Sequence, residues 1–130
     1  MGLAKTVNSI VAYKTGLDGE NLAIDFYKAI GYEVLKSRLK TKAGEIDLVF
    51  INHDLKHLIF TEVKATKLDN IDYENIISKK QWARIFAAAE LFIYNDTDCY
   101  QEYSYSFDAI YIKQGKIAHR TENIFLEDVL

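Results

Sequence analysis

The hydrophobic positions of the chain fall into two kinds of pattern, one with the period of a helix and one with that of a strand. Between positions 44 and 66 the sequence GEIDLVFINHDLKHLIFTEVKAT holds two short apolar runs, 46–51 and 58–64, around the polar segment 52–57. That arrangement predicts a β-hairpin. Upstream, Leu22, Ala23, Phe26, Tyr27 and Ile30 share one helical face, with Asp18 as a candidate N-cap and Gly31 as a terminator. Tyr32 to Lys40 reads as a first strand, its second half alternating basic residues as an edge strand would. Leu68 to Glu74 is polar and aperiodic, and is expected to be a loop. From Ile76 to Tyr94 the stripe Trp82, Ile85, Phe86, Ala89, Phe92 and Ile93 predicts a long helix. Asn8 to Lys14 suggests a short helical turn and Asn95 to Gln101 a loop. Tyr103 to Lys113 is an alternating, aromatic-rich strand, after which Gly115 turns the chain into Lys116–His119. The order α-β-β-β-α-β predicts an α/β domain, a mixed β-sheet flanked by helices.

Composition adds bounds. At 130 residues, 49% of them hydrophobic, the chain is expected to be a single globular domain spanning 1–130. The single Cys99 offers no internal disulfide, no Cys/His spacing suggests zinc, and no apolar run approaches a membrane span, so a soluble cytoplasmic protein without membrane contact is expected. A formal net charge of −3 argues against tight non-specific binding of nucleic acid. Two local basic clusters partly offset it: Lys36, Arg38, Lys40 and Lys42 before the hairpin, and Lys79, Lys80 and Arg84 in the later helix. Either cluster alone also fits a solvated edge.

The chemistry concentrates in the hairpin, because both of its apolar runs carry ionisable residues in their interior. Alternate side chains of a strand share a face, so Asp47 goes with Glu45 and Val49, and Glu62 with Lys64, Phe60 and Leu58. If the hairpin folds between Asp54 and Leu55, Asp47 lies opposite Glu62 and Glu45 opposite Lys64. Two carboxylates facing each other across about 5 Å destabilise a sheet when both are charged. A divalent cation between them would reverse that sign, and Lys64 would point at the same spot. Two acids, a metal and a lysine make a site for phosphodiester hydrolysis. The same three residues also fit a satisfied ion-pair network on a half-exposed sheet face. Glu20, in the first turn of its helix, fits the helix dipole as well as it fits a metal.

The order of elements, with GEIDLV and IFTEVK, resembles the PD-(D/E)XK nuclease superfamily, whose motif is an Asp followed on the next strand by Glu-x-Lys. Here these are Asp47 and Glu62-Val63-Lys64. More narrowly, the chain is similar to the YraN-like family of small bacterial endonuclease-type proteins. That likeness rests on Gly19-Glu20, Ala23, Gly31-Tyr32, Gly44-Glu45-Ile46-Asp47-Leu48, Phe60-Thr61-Glu62-Val63-Lys64, Lys80-Gln81 and Phe107-Asp108.

The resemblance implies a restriction-endonuclease-like fold and Mg²⁺- or Mn²⁺-dependent cleavage of DNA, branched or junction DNA included. It implies that Asp47, Glu62 and the Val63 carbonyl hold the metal, with Glu20 contributing directly or through water. Lys64 would orient or deprotonate the attacking water or act as a fixed cation, and Lys80 and Gln81 would contact phosphate. The family usually carries an Arg shortly after the lysine and another before Phe-Asp, where this chain has Thr66 and Ser106. The rival expectation is therefore a catalytically inactive module of the same fold, binding nucleic acid or a protein partner. DNA is expected in preference to RNA, although no residue here reads a 2′-hydroxyl. Symmetric cutting of two strands would favour a homodimer. His53, His57 and His119 receive no role, His53 and His57 because they are expected in the hairpin turn, away from the site.

Overall fold

The computed structural model describes residues 18–67, 69, 72–95, 100–125 and 127. A first helix, α1, covers 18–29. It is followed by β1 (Glu33–Lys40), β2 (Glu45–Asn52), β3 (His57–Ala65), α2 (Tyr73–Ile76), α3 (Lys79–Ile93), β4 (Ser104–Lys113) and β5 (Lys116–Thr121). The five strands form one open sheet in the order β1-β2-β3-β4-β5. Its first three strands are a meander of antiparallel neighbours, β3 and β4 run parallel, and β5 returns antiparallel. A parallel pair needs a long crossover, and here α2 and α3 supply it.

The central strands read as continuous apolar runs because both of their faces are covered. Leu48, Phe50, Ile59, Ile110 and Ile112 pack with Ala23 and Tyr27 of α1. Their strand neighbours Val49, Ile51, Leu58, Phe60, Ala109 and Tyr111 pack instead with Trp82, Ile85, Ala88, Ala89, Phe92 and Ile93 of α3. This is the expected α/β architecture, a mixed sheet between helices. Gly31 closes α1 at φ +95°, and the Tyr32 amide donates back to the Tyr27 carbonyl at 2.9 Å, as an αL helix end requires.

Four local expectations are corrected. Asp18 is itself helical rather than a cap. The stretch expected as a loop ends in a helical turn, because Asp72 accepts a hydrogen bond from the Glu74 amide and caps α2. The long helix begins at Lys79, not Ile76, because the Ser78 side chain accepts from the Gln81 amide at 3.1 Å and caps α3. The segment after Gly115 is a full fifth strand, paired from Lys113↔Lys116 to Ala109↔Thr121. The expected turn at Asn8–Lys14 lies outside the described residues.

One buried acid ties the layers together. Asp108 of β4 is 1% exposed. It accepts from Tyr27 Oη of α1 at 2.5 Å, from Arg120 Nη2 of β5 at 2.9 Å and from the Asn123 amide at 3.2 Å. Tyr27→Phe keeps the ring and removes one of these donors. Unfolding free energy should fall by about 1–3 kcal/mol, read from the urea midpoint at constant m-value. An unchanged midpoint would mean that Arg120 and the Asn123 amide satisfy Asp108 by themselves.

Candidate functional site

The β2–β3 pairs run from Asn52↔His57 to Leu48↔Thr61. That is the register expected from a fold between Asp54 and Leu55, and its next step sets Asp47 across from Glu62. At that step the ladder gives way to a side chain. Asp47 Oδ2 accepts from the Val63 amide at 2.8 Å, satisfying a backbone donor where the strands part. Glu62, next to it, is buried, with its side chain 7% exposed. Its Oε1 lies 3.9 Å from Lys64 Nζ and 3.5 Å from Gln81 Nε2 at the start of α3. Neither contact is a strong one.

Glu62 is consequently an acid with too little positive charge around it. Burial, then the charge and hydrogen bonding of Asp47, push its carboxyl up to about 9, Glu45 adding to the rise and Lys64 only partly opposing it. The effect spreads: the phenol of Tyr111, on the adjacent β4, is pushed up to about 12, first by burial and then by Glu62. Tyr111 is the β4 partner of Lys64 and donates to the Tyr73 carbonyl at 2.8 Å. Its place beside the acids had no signal in the sequence, because it depends on the parallel β3–β4 pairing.

Glu20 enters from α1. Its carboxyl is also raised, by burial first, with Asp47 and Glu45 adding and Arg38 opposing. Arg38 Nε sits 3.6 Å from Glu20 Oε1. Arg38 has φ +51°, a conformation costly for a long side chain. The β1–β2 pairs pass over it from Ser37↔Leu48 to Leu39↔Ile46, without a change of register, and its side chain meets Glu20 of α1. This pairing, too, was not expected. Glu45 was expected to face Lys64; the β2–β3 ladder ends before it, at Leu48↔Thr61, and on its other side it pairs with Lys40 of β1.

Of the predicted residues, the structure thus brings Asp47, Glu62, Val63, Lys64 and Gln81 into contact and Glu20 within electrostatic reach. Lys80 is exposed, beside Gln81 on α3. His57 is corrected from a turn residue to the first residue of β3. Its ring nitrogens meet Ser104 Oγ at 2.6 Å and Ser106 Oγ at 2.9 Å, and burial lowers its pKa. Five residues of extended strand, about 17 Å, separate it from Glu62.

Among the described residues no group of three or more His, Cys, Asp or Glu side chains is gathered to hold a metal ion. Mg²⁺, however, is commonly held by one or two carboxylates and keeps several waters. Asp47 and Glu62 meet that requirement, and their mutual crowding is what a bound cation would relieve.

The fold and this cluster define a class: an open-sheet α/β protein with paired acids and a lysine where two neighbouring strands part. Residues 19–112 match the model of the uncharacterised protein family UPF0102, and the chain belongs to that family. It is 38% identical over 109 residues to a UPF0102 protein of Rhodopseudomonas palustris strain BisB5, covering 83% of this chain and 79% of the relative. It is 33% identical over 114 residues to UPF0102 protein CHAB381_0216 of Campylobacter hominis, covering 88% of this chain and 96% of the relative. The matched span holds Glu20, Asp47, Glu62, Lys64, Lys80 and Gln81, and ends before β5. No helix among the described residues is long and apolar enough to cross a membrane.

The raised carboxyl has a consequence for stability. A group held above its ordinary 4.5 in the folded state stabilises the fold while protonated, and loses that contribution as pH rises through about 9. In metal-free protein, stability should therefore decline from about pH 5 toward pH 9 on account of Glu62. Glu62→Gln should flatten the decline and be more stable than wild type by more than about 1 kcal/mol near pH 8. Parallel urea-midpoint profiles for the two proteins would contradict the assignment.

Proposed function

We propose that this protein is a metal-dependent endonuclease of restriction-endonuclease-like fold, hydrolysing phosphodiester bonds in DNA, branched or junction DNA included. The observation that carries the reading is the pairing of Asp47 with buried Glu62 at the parting of β2 and β3, with Lys64 alongside. Two acids, one of them so buried and so close to the other that it keeps its proton, suit a site completed by a cation, Mg²⁺ or Mn²⁺. When bound there, such a cation supplies a nucleophilic water and neutralises charge on the phosphate.

The chain's own residues have distinct tasks in this reading. Asp47, fixed through Val63 N–H, presents its remaining oxygen lone pairs in one orientation. Glu62 gives up its proton on ligation and is steadied by Gln81. Lys64, with a side chain 33% exposed, serves as a fixed cation beside the scissile phosphate. Glu20, engaged with Arg38, contributes through water. Lys80 receives a neighbouring phosphate.

The second reading, a module that binds without cutting, draws on Ser106. Where the family usually carries an arginine, this side chain is tied to His57. It supplies no positive charge to a phosphate.

Two measurements separate these readings. Single-stranded, duplex, flap and four-way-junction DNA, together with RNA, should be tested with Mg²⁺ or Mn²⁺. At least one DNA should be cut, and Asp47→Ala and Lys64→Ala should each reduce the rate by at least about 10²-fold. Independently, Mn²⁺ at about 100 times its Kd should stabilise the wild type by about 2.7 kcal/mol and leave Asp47→Ala unmoved. Mn²⁺ stabilisation without any cutting would favour the binding module; neither effect would remove the metal centre altogether.

A further inference from the structure

The two basic clusters, far apart in sequence, meet in the fold. The turn between β1 and β2 is rigid: Thr41 Oγ1 accepts from the Ala43 and Gly44 amides at 3.1 Å, and the Thr41 amide donates to the Gly44 carbonyl at 2.8 Å. This turn lies directly on α3. A Cβ added to Gly44 would stand 3.2 Å from Arg84 Cβ and 3.5 Å from the Arg84 carbonyl oxygen, so the glycine is what lets the turn approach so closely. Lys42 is two residues from that contact, and Lys80 stands one helical turn before Arg84 on the same face of α3. Lys42, Lys80 and Arg84 therefore line one rim, all exposed, and Lys40 and Lys79, also exposed, are their near neighbours along the chain. Among the described residues none of the five makes an ion pair, whereas Arg38, Lys64, Lys113 and Arg120 do. Glu45 opposite Lys40 is the acid nearest them in strand register.

Like charges gathered on one rim of a protein with net charge −3 repel one another, a cost that a polyanionic ligand would relieve. The cations come from two chain segments, the turn and α3, and on α3 they are spread over a full helical turn, about 6 Å, which suits an extended polyanion better than a single phosphate. The rim also leads to the acids, since Gln81, between Lys80 and Trp82 on α3, reaches Glu62. We propose that the Thr41–Gly44 turn and the exposed face of α3 form a docking rim for the phosphate backbone of DNA. The choice of ligand rests on the nuclease reading, but the docking does not require the metal. Gly44 and Arg84 set the two segments side by side, and Lys42, Lys80 and Arg84 carry the contacts.

The test is binding of fluorescein-labelled duplexes, one of DNA and one of RNA, followed by anisotropy in EDTA over a salt series. The wild type should bind, and Lys42→Ala/Arg84→Ala should bind about tenfold more weakly, with a salt slope on DNA smaller by about 1.8, the loss of two phosphate contacts. Lys28→Ala/Lys116→Ala, which removes the same charge from α1 and β5, should bind as wild type does. Equal losses in both double variants, no loss in the rim variant, or no wild-type binding would each overturn the proposal. The DNA duplex should bind the more tightly of the two, and tighter binding of the RNA duplex would overturn the choice of DNA. Because EDTA removes any metal, failure here is distinct from failure of the Mn²⁺ or cleavage experiments.

Discussion

The buried carboxylate of Asp108 is the constraint on which the arrangement of layers depends. An acid 1% exposed costs several kcal/mol to desolvate unless it is paired, and its partners come from three separate parts of the chain. Tyr27 belongs to α1, Arg120 to β5, and the Asn123 amide to the turn beyond β5. The Arg120 guanidinium lies 5.0 Å from the Phe26 ring centroid, so the same cation also covers the helix. Satisfying Asp108 therefore fixes how α1 sits on the sheet. Glu20 rides on that helix two turns before Tyr27, and its distance from Asp47 is set by a contact at the other end of α1.

Asp108 and Glu62 are close neighbours in the sheet with opposite circumstances. The β4 partner of Thr61 is Asp108, and Glu62 is the next residue along β3. Asp108 has a phenol, a guanidinium and an amide pointing at it. Glu62 has another carboxylate, a lysine at 3.9 Å and an amide side chain at 3.5 Å. Folding completes the first site and leaves the second short of positive charge. A fold that can surround one buried acid with donors, and does not do so for the next, concentrates its electrostatic strain where β2 and β3 part. Glycine takes part in the same design. Gly19, whose added Cβ would come within 3.3 Å of Ile112, lets α1 lie close to β4 one residue before Glu20.

What could be read from the sequence follows from the range of each interaction. The hairpin register needed only the length of a polar break, and Asp47 and Glu62 fell opposite each other by counting. The covered faces of α1 and α3 followed from their periodicity, because burial is written in the spacing of apolar residues. The boundary at Ser78 was missed since the apolar stripe continues back to Ile76, and only the serine cap separates α2 from α3. β5 was underestimated because a short edge strand with Lys116 and His119 looks polar until its partner is known. Arg38 and Tyr111 were missed for another reason. Their contacts join segments distant in sequence, through a left-handed residue in β1 and a parallel pairing that no local pattern encodes.

The weakly acidic net charge is a poor guide to what the surface binds. Screening confines an exposed charge to a neighbourhood of about 8 Å at physiological ionic strength, so a ligand senses the rim it touches rather than the molecular total. Here the signs are sorted: Asp47 and Glu62 lie inward where β2 and β3 part, with Glu20 of α1 in electrostatic reach, while Lys42, Lys80 and Arg84 stand outward on the turn and helix. A polyanion approaching this edge meets cations first and the acids only at the depth of the sheet. The acids are a barrier to that last step, unless a divalent cation reverses their sign. Metal binding and phosphate binding would then be coupled through the charge of one cluster, each improving the other without any change of shape.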